Sequence, residues 1–365
     1  MIAMTIHKDY GKDGLSEESK AMKCCLVEQG FGPGSCLAEY RQKQRRACEI
    51  TLKSEGNQWS RLIKSAHLSR PEHYFSIYQS GCNHRCLKCH SWEFTQKANG
   101  QWFSAKEIGL IAREYEKAVT VREPRERATM WHATDLCRSC GSCVISGTNG
   151  FLCPGVLIPK DIVFSPQGFG PARNIMAFTG GDLTCCADFY CQAAEEIKKN
   201  SKDMWVLIES NGYGITPQNL DRLKDSGADS FWLDIKAYDD DIYKKLCGTT
   251  NEWILKAPSE IVKRGFVLEI LTLFIPGWVE DDQIEKISEL ISKADATIPM
   301  TILAFFPEYR MKDTNSPRLE DMIRVFHRVK EMGLKNVKLG NCGIFAKSDK
   351  DWEYLLKEVG KEAVG

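Results

Sequence analysis

The chain has 365 residues and carries 49 Lys and Arg against 49 Asp and Glu, so its formal net charge at pH 7 is zero. This balance argues against long-range attraction to nucleic acid or to an anionic membrane, and neither is expected as a partner. The mean hydropathy is -0.34, and the most apolar stretch, residues 266–279, is interrupted by Glu269 and Pro276, which excludes a membrane-spanning helix there. No apolar leader opens the sequence, so a cytoplasmic location is expected.

Sixteen of the residues are cysteines, which is unusual for an enzyme-sized chain. A reducing cytoplasm disfavours structural disulfides, so this number indicates metal binding or redox chemistry. The spacing of the cysteines decides where such chemistry could lie.

The first 70 residues have a mixed polar pattern without a strand signal, and helices are predicted near residues 16–29 and over residues 35–50. A Gly- and Pro-rich stretch at residues 30–34 separates them, because neither residue type continues a helix at low cost. Residues 1–70 are therefore predicted to form an N-terminal helical extension.

From residue 71 to residue 345, short apolar runs alternate with amphipathic stretches. Strands are predicted at residues 74–79, 175–179, 205–209, 230–235, 267–274, 301–306 and 337–339. Helices are predicted at residues 104–120, 188–200, 217–226, 259–264, 281–294 and 318–332. This rhythm is typical of strand–helix units on a parallel sheet, and it predicts an α/β fold, a partial (βα)6 TIM-type barrel, followed by a C-terminal helix in residues 346–365. Ligands of such folds bind beyond the carboxyl ends of the strands.

Directly after the first predicted barrel strand come Cys82, Cys86 and Cys89, in a C-x3-C-x2-C pattern. Three thiolates this close together can ligate three corners of a 4Fe-4S cluster, and no fourth cysteine stands at a natural position to close it. An iron with an open coordination position is a reaction site, by the same reasoning that separates catalytic from structural zinc. A zinc knuckle, or three unrelated thiols, is the alternative interpretation.

This motif at this place resembles the signature of the radical S-adenosylmethionine (radical SAM) superfamily, and the resemblance extends over residues 74–343 apart from an insertion at residues 121–173. The resemblance implies that the amino and carboxylate groups of SAM chelate the open iron. It also implies that the reduced cluster donates an electron that splits SAM into methionine and a 5'-deoxyadenosyl radical. The three cysteines would then have a catalytic role.

Segments at the ends of the next three strands resemble the SAM pocket of the superfamily and of its glycyl-radical-enzyme activases. Residues 179–182, the Gly-Gly-Asp segment, resemble a GGE motif with Asp182 in place of the usual Glu. Residues 209–212, the S-N-G segment, resemble a (D/E)-(S/T)-N-G segment, and residues 234–236, the D-I-K segment, resemble a D-(I/L)-K segment. The resemblance implies SAM-binding roles for Gly180, Gly181, Asp182, Ser210, Asn211, Asp234 and Lys236. A turn and a salt bridge are the structural alternatives for the second and third segments.

One position departs from the pattern of the superfamily. Lys88 precedes the third cysteine of the motif, where the superfamily usually has an aromatic or aliphatic residue against adenine. His90 or Trp92 could provide the stacking surface instead.

The insertion at residues 121–173 is rich in Cys, Gly and Pro and lacks the barrel pattern, so it is predicted to be a Cys-rich metal-binding module. Four thiolates can complete one closed site, and the module offers Cys137, Cys140, Cys143 and Cys153. The gap before the last of them is longer than in ferredoxins, which leaves an auxiliary 4Fe-4S cluster, a mononuclear iron and a structural zinc as alternatives. The other cysteines are interpreted mainly as buried packing residues, although Cys185 and Cys186 lie near the predicted active site.

Two enzyme functions compete. The S-N-G and D-I-K segments and residues 274–277 favour a glycyl-radical-enzyme activase. Residues 76–81, 89–94 and 179–182 resemble a methanogen-associated archaeal branch, which is similar to the cobalamin-dependent glutamine C-methyltransferase of methyl-coenzyme M reductase. We favour the methyltransferase, whose partners would be the α subunit of that reductase and an electron donor. An iron–sulfur electron carrier is the non-enzyme alternative, and the open iron argues against it.

The methyltransferase interpretation implies cobalamin as a further cofactor. The chain has no Asp-x-His-x-x-Gly loop, so cobalamin would bind on the barrel face. The candidate contacts follow the sixth predicted strand and are Phe305, Phe306, Tyr309, Arg310 and Met311.

Overall fold

The computed structural model describes residues 23–365. The helix predicted near residues 16–29 lies partly outside the described residues, and its described part contains one short helix. Among the helices of the described chain, none combines the length and the apolar character that a bilayer-spanning segment needs.

The strands, in chain order, are β1 (Leu37–Tyr40), β2 (Lys43–Arg46), β3 (Leu52–Glu55), β4 (Gln58–Leu68), β5 (Phe75–Gln79), β6 (Gln101–Ser104), β7 (Val163–Ser165), β8 (Gly168–Gly170), β9 (Ile175–Gly180), β10 (Trp205–Ser210), β11 (Ser230–Asp234), β12 (Val267–Phe274), β13 (Met300–Ala304) and β14 (Val337–Gly340). The helices are α1 (Cys25–Glu28), α2 (Ala47–Thr51), α3 (Trp92–Thr95), α4 (Ala105–Glu116), α5 (Ala133–Leu136), α6 (Ser142–Ile145), α7 (Asp188–Asn200), α8 (Pro217–Asp225), α9 (Asp240–Cys247), α10 (Ala257–Lys263), α11 (Asp281–Asp295), α12 (Leu319–Glu331) and α13 (Asp349–Val359).

One large sheet organises the chain. Its strand order is β14-β13-β12-β11-β10-β9-β5-β4-β3, and β6 also pairs with β4. All neighbours from β14 to β5 are parallel, whereas β4 is antiparallel to its three partners. Helices connect the successive parallel strands. The predicted α/β fold with a mostly parallel sheet is therefore confirmed, and it is consistent with a partial barrel.

The parallel strands were predictable because both of their faces are covered. In β9, Ile175, Met176, Ala177 and Phe178 are each 0% exposed. A strand that is buried on both faces has a continuous run of apolar residues in its sequence, and these four residues of β9 are such a run. Parallel pairing also brings the carboxyl ends of β5 and of β9 to β14 to one edge of the sheet, where ligands are expected.

The helix predicted over residues 35–50 was wrong. This stretch contains the antiparallel hairpin β1–β2, and helix α2 begins only near its end. Arg41 and Gln42 form the turn of the hairpin with φ angles of 49° and 63°. Arg and Gln rarely adopt positive φ, so the sequence contains no recognisable turn signal here.

The described part of the N-terminal extension, residues 23–70, also contributes β3 and β4 to the large sheet, so this part is not mainly helical as predicted. Glu55 pairs with Gln58, which leaves Gly56 and Asn57 as a two-residue turn. A Gly-Asn pair between two strands is a hairpin signal that the helical interpretation missed. The predicted domain limits at residues 70, 121, 173 and 345 stay predictions.

A buried ion pair fixes the Cys-rich insertion at its base. Arg173, just before β9, is 0% exposed and pairs with Glu123, which follows α4. The Arg173 guanidinium also donates hydrogen bonds to the carbonyl groups of Thr129 at 2.8 Å and Arg127 at 2.6 Å. The two ends of the insertion are therefore joined by one side chain.

We expect Glu123→Gln to lower the free energy of unfolding by about 3 kcal/mol, because it leaves the buried Arg173 cation without a counterion. Glu289→Gln is the matched control, since it removes the exposed partner of Lys293 and should leave the stability close to that of the natural protein. Equilibrium unfolding in denaturant measures both. Equal effects of the two substitutions would contradict the anchoring role.

A second buried carboxyl group lies on β12. Glu269 is 0% exposed and accepts hydrogen bonds from the Trp131 N–H at 2.7 Å and from Thr301 Oγ1 at 3.3 Å. Burial raises the pKa of Glu269 to about 7. The folded protein therefore keeps this group protonated over a pH range in which the unfolded chain ionises it.

This shift predicts a pH dependence of stability. As pH rises from about 4.5 to about 7, the unfolded chain loses the Glu269 proton first, so the carboxyl group progressively destabilises the fold. Relative to the natural protein, we expect Glu269→Gln to gain up to about 3 kcal/mol of stability across this window and nothing further above it. Denaturant unfolding at a series of pH values tests this, and a stability difference that does not change with pH would refute it.

Candidate functional site

The three-cysteine motif lies in a loop that leaves the carboxyl end of β5, and we call residues 80–90 the cysteine loop. Gly81 opens the loop with a φ of 76°, and a Cβ atom there would lie 2.9 Å from the Thr51 side chain, so the turn requires glycine. The Arg85 N–H donates to the Cys247 carbonyl at 3.0 Å, which fixes the loop on the end of α9.

The thiols of the motif are shielded from solvent. Cys86 is only 9% exposed, and Cys82 and Cys89 are half-buried. Burial raises the pKa of Cys82 and of Cys89, while the pKa of Cys86 is raised first by a hydrogen bond with Cys247 and then by burial. These thiols stay protonated in the absence of a metal, and metal binding would replace their protons.

Three consecutive residues of the cysteine loop carry buried nitrogen atoms for which the described part of the chain offers no hydrogen-bond partner. These atoms are Asn83 Nδ2, His84 Nδ1 and Arg85 Nε. Buried polar atoms are normally paired, so three of them in one loop indicate a missing group. A 4Fe-4S cluster has sulfur acceptors and is bound by cysteine thiolates, so the residues of this loop fit such a cluster.

His84 and Cys247 also belong to this site, and sequence reasoning missed both. Their ligand atoms and that of Cys86 lie within 4.8 Å of one another, and all three residues are buried. Burial lowers the pKa of His84 to about 3, which keeps the imidazole in its neutral, metal-binding form. Cys247 ends α9, so no sequence spacing could connect it with the motif.

The Gly-Gly-Asp segment at the end of β9 approaches the cysteine loop closely. A Cβ atom at Gly181 would lie 2.1 Å from the Gly81 carbonyl oxygen, so only glycine permits the contact. Gly180 has a φ of 85°, and the Asn83 N–H donates to the Asp182 carbonyl at 2.9 Å. The ends of β5 and β9 therefore meet through their backbones.

The buried Asp182 carboxylate organises the end of β10. Its Oδ2 accepts hydrogen bonds from Ser210 Oγ at 2.6 Å and from the Asn211 N–H at 3.0 Å. Its Oδ1 accepts from the N–H and from the hydroxyl group of Thr184, both at 2.8 Å. Asn211 Nδ2 in turn lies 3.6 Å from Cys82 Sγ. Three of the residues expected to bind SAM thus lie together beside the first cysteine.

The D-I-K segment at the end of β11 forms an ion pair between Asp234 and Lys236. Burial lowers the pKa of Lys236, but Asp234 and the thiols of Cys86 and Cys247 outweigh burial, so the pKa is raised and the ammonium group stays charged. The salt bridge named as the structural alternative is therefore formed, and it holds a cation near Cys86.

Arg61, on β4, joins the two loops and was not predicted as a site residue. It is 0% exposed, and its Nη2 donates to the carbonyl groups of Gly81 at 3.1 Å and Gly181 at 3.2 Å. Its Nη1 donates to Thr51 Oγ1 at 2.5 Å. One buried cation therefore holds the cysteine loop and the Gly-Gly-Asp segment together. The sequence carries no signal for this role unless β4 is first recognised as a strand.

Lys88, whose residue type differs from the superfamily pattern, contacts the loop that follows β13, and so do His90 and Trp92. Lys88 and His90 both pair with Glu308, at 2.5 and 3.0 Å. Trp92 stacks on Tyr309 with ring centroids 5.0 Å apart. His90 and Trp92 thus both have protein partners, and their predicted contacts with adenine stay predictions.

The residues expected to contact cobalamin are only partly accessible. Phe305 and Met311 are 0% and 4% exposed and pack in the core, and the expected contacts with cobalamin stay predictions. Phe306 lines a cavity of about 390 Å³ beside the ends of β13 and β14, together with Trp131 and Asn341.

Of the four cysteines of the insertion, Cys137 lies within electrostatic range of the other three. Burial raises the pKa of Cys137, and the charges of Cys140, Cys143 and Cys153 raise it further. The Ser139 N–H lies 3.3 Å from Cys137 Sγ. The predicted auxiliary metal site and the choice among 4Fe-4S cluster, iron and zinc stay predictions.

Comparison with known proteins finds a partial family match and distant relatives. The Radical SAM superfamily profile matches residues 167–291. An uncharacterised protein of Methanocaldococcus jannaschii is 24% identical over 268 residues, which cover 73% of this chain and 63% of that protein. A second protein of the same organism, provisionally named a glycyl-radical enzyme activating enzyme, is 29% identical over 177 residues, which cover 47% of this chain and 64% of that protein. The chain thus spans slightly less than two thirds of the length of these relatives.

A domain of the pyruvate-formate lyase-activating enzyme from Bacteroides vulgatus is similar in structure, with a TM-score of 0.39 and 16% identity over 45% of this chain and 98% of that chain. The profile match begins just before β9 and continues into α11, so it includes the Gly-Gly-Asp, S-N-G and D-I-K segments. Residues 167–291 thus match the model of the Radical SAM superfamily, and the chain has distant similarity to a protein provisionally named as a glycyl-radical activating enzyme.

We expect Arg61→Met to lower the free energy of unfolding by about 3 kcal/mol, because the buried carbonyl groups of Gly81 and Gly181 lose their donor. Hydrogen exchange should increase in the peptides that contain these two glycines and stay unchanged in α12. Arg45→Met, at an exposed position of β2, is the control and should match the natural protein in both measurements. Unchanged exchange at the two glycines in Arg61→Met would show that Arg61 does not hold the loops together.

Proposed function

We propose that this protein is a radical SAM enzyme that cleaves SAM reductively and removes a hydrogen atom from a protein substrate, as a glycyl-radical-enzyme activase. The observation that carries the proposal is the cysteine loop, which has three thiols and three unpartnered buried nitrogens and contacts the Gly-Gly-Asp segment through Gly81 and Asn83. Both features are at the carboxyl edge of the parallel sheet, where such folds bind their ligands.

The residues of the site have separate tasks in this proposal. Cys82, Cys86 and Cys89 hold a 4Fe-4S cluster, which supplies the electron that cleaves SAM. Asp182 fixes the Ser210 hydroxyl and the Asn211 backbone through the two hydrogen bonds to its Oδ2, so that this segment faces the cysteine loop. Gly180 and Gly181 allow the backbone to come close to SAM, and Asp234 and Lys236 supply paired charges at the next strand end.

The activase has better support than the methyltransferase that the motif strings favoured. A relative provisionally named as an activating enzyme of glycyl-radical enzymes shares 29% identity with this chain, whereas cobalamin binding and methyl transfer have no comparable support. Two of the five expected cobalamin contacts are core residues. Glutamine methylation of methyl-coenzyme M reductase is therefore kept as the second hypothesis, to be separated by experiment. An electron donor is required by either reaction.

Anaerobic incubation of the reconstituted chain with SAM and dithionite tests the proposal. We expect the natural protein to form 5'-deoxyadenosine and Cys86→Ser to form at least about 100-fold less, because serine does not replace a cluster thiolate. Cys191→Ser, a buried cysteine on α7 outside the site, should retain the activity. An absence of 5'-deoxyadenosine from natural protein with its full iron content would refute both enzyme functions and favour an electron carrier.

A second experiment separates the two enzymes. A glycine-centred radical on a protein substrate, detected by electron paramagnetic resonance without cobalamin, supports the activase. A gain of one methyl group on a glutamine peptide that depends on added cobalamin would contradict it and support the methyltransferase.

A further inference from the structure

His84, Cys86 and Cys247 form a compact group of metal-binding side chains where the cysteine loop meets the end of α9, and we call them the His–Cys group. Their ligand atoms all lie within 4.8 Å of one another. The three residues are 1%, 9% and 0% exposed. Only Cys86 belongs to the C-x3-C-x2-C motif, so the His–Cys group shares a single thiol with the proposed cluster site.

Backbone hydrogen bonds on both sides of Cys86 hold the His–Cys group together. The Arg85 N–H donates to the Cys247 carbonyl at 3.0 Å. The Leu87 N–H donates to the Leu246 carbonyl at 2.7 Å. Cys86 lies between these two donors, so its position relative to the end of α9 is fixed without a metal. Ligands that are already in place lose little conformational entropy when an ion binds.

The His84 imidazole is oriented for ligation. Its Nε2 lies 2.7 Å from Thr249 Oγ1, whereas its buried Nδ1 has no hydrogen-bond partner within residues 23–365. When Nε2–H donates to Thr249, Nδ1 keeps a free lone pair, and a hydrogen bond at the remote nitrogen commonly orients a metal-bound histidine. The other tautomer lets Nδ1–H donate to a sulfur of the cluster, so a single metal ion and the cluster would use different tautomers of His84.

A second buried polar atom at this place lacks a partner. Tyr243 lies one helical turn before Cys247 on α9 and is 0% exposed, and its ring centroid is 5.8 Å from that of His84. Its hydroxyl group has no hydrogen-bond partner in the described part of the chain. Buried hydroxyl groups are normally hydrogen-bonded. A metal ion with three protein ligands keeps a water in its fourth position, and such a water would offer this hydroxyl group a partner.

The spacing of the two thiols suits one metal ion and does not suit two corners of a cluster. In a tetrahedral zinc site, Zn–S bonds of about 2.3 Å place two sulfur ligands about 3.8 Å apart. The Cys86 and Cys247 thiols, which lie within 4.8 Å of each other, reach this distance with small side-chain movements. The thiolates of a cubane cluster bind different irons and are farther apart, so Cys247 does not close the open iron.

We propose that the chain without its cluster binds one zinc ion through His84, Cys86 and Cys247, and that this ion prevents assembly of the cluster. An imidazole nitrogen and thiolates are ligands that zinc prefers. Two thiolates balance the charge of the ion, so the buried site carries no net charge. Each zinc ion replaces the two thiol protons, which are released to solvent. Cys86 cannot ligate zinc and the cluster at once, so the two metal centres are alternatives. The exclusion rests on the proposed function, in which Cys86 is a cluster ligand, whereas the zinc site itself does not.

The test counts zinc in the full chain. The protein is freed of metal by a chelator under anaerobic conditions, equilibrated with zinc and desalted. We expect Cys247→Ser and Cys86→Ser each to bind one zinc ion fewer per chain than the natural protein. Cys82→Ser is the matched control, because it removes a cysteine of the same loop that lies outside the His–Cys group, and it should bind as much zinc as the natural protein.

The cysteines of the insertion are unchanged in all these proteins, so any zinc that they bind cancels in the comparison. Equal zinc contents of Cys247→Ser and the natural protein, or an equal loss in Cys82→Ser, would overturn the proposal. Because substitution of the buried Cys247 can prevent folding, His84→Gln is measured as well. It changes the loop and leaves α9 intact, and it should also lose one zinc ion; retention of that ion would contradict the ligand set.

A second measurement tests the exclusion. The natural protein and Cys247→Ser are reconstituted with sulfide and equal amounts of ferrous and ferric iron, with and without prior loading of zinc. Without zinc, the two proteins should take up equal amounts of iron, and less iron in Cys247→Ser would assign Cys247 to the cluster and refute the proposal. Prior zinc should lower the iron content of the natural protein by about four per chain, the content of one cubane cluster, relative to Cys247→Ser.

An equal effect of zinc on the iron content of both proteins would show that zinc does not compete for Cys86. Neither measurement uses SAM, so a failure here is distinct from a failure to form 5'-deoxyadenosine.

Discussion

The close approach of the Gly81 and Gly181 backbones, bridged by the buried Arg61 cation, is the constraint on which the candidate site depends. The Gly181 position leaves no room for a side chain, and the guanidinium donates to both carbonyl groups. An unpaired carbonyl in this buried place would cost about 1–3 kcal/mol, so the contact holds only while the arginine is present. The N-terminal extension therefore belongs to the site, because β4 supplies Arg61 and α2 supplies Thr51, which holds the guanidinium from the other side.

The parallel sheet was predictable from sequence and the N-terminal strands were not, and the difference has a physical cause. A strand segment buried on both faces must be continuously apolar, as Ile175–Phe178 of β9 is, and such a run can be recognised locally. The strands β1 to β3 are short, and many of their residues are exposed, so long-range pairing decides their conformation. The Arg41-Gln42 turn adds no signal, whereas the turn at Gly56 carries one.

The candidate site likewise has one part that could be predicted from the sequence and one part that could not. The three motif cysteines lie within nine residues on one loop, so their spacing alone predicts a metal site. Arg61 and Cys247 come from remote segments, and only the folded chain brings them to their partners. Sequence spacing finds ligands that share a loop, and it fails for ligands contributed by different strands and helices.

The shorter side chain of Asp182, where the superfamily usually has Glu, is explained by what its carboxylate does. A carboxylate has about four acceptor positions, and the Asp182 oxygens already accept four hydrogen bonds from Thr184, Ser210 and Asn211. A cation from SAM could bind this carboxylate only by replacing one of these donors, so the net gain would be small. Asp182 therefore acts mainly on the neighbouring strand end, by holding the Asn211 amide beside Cys82.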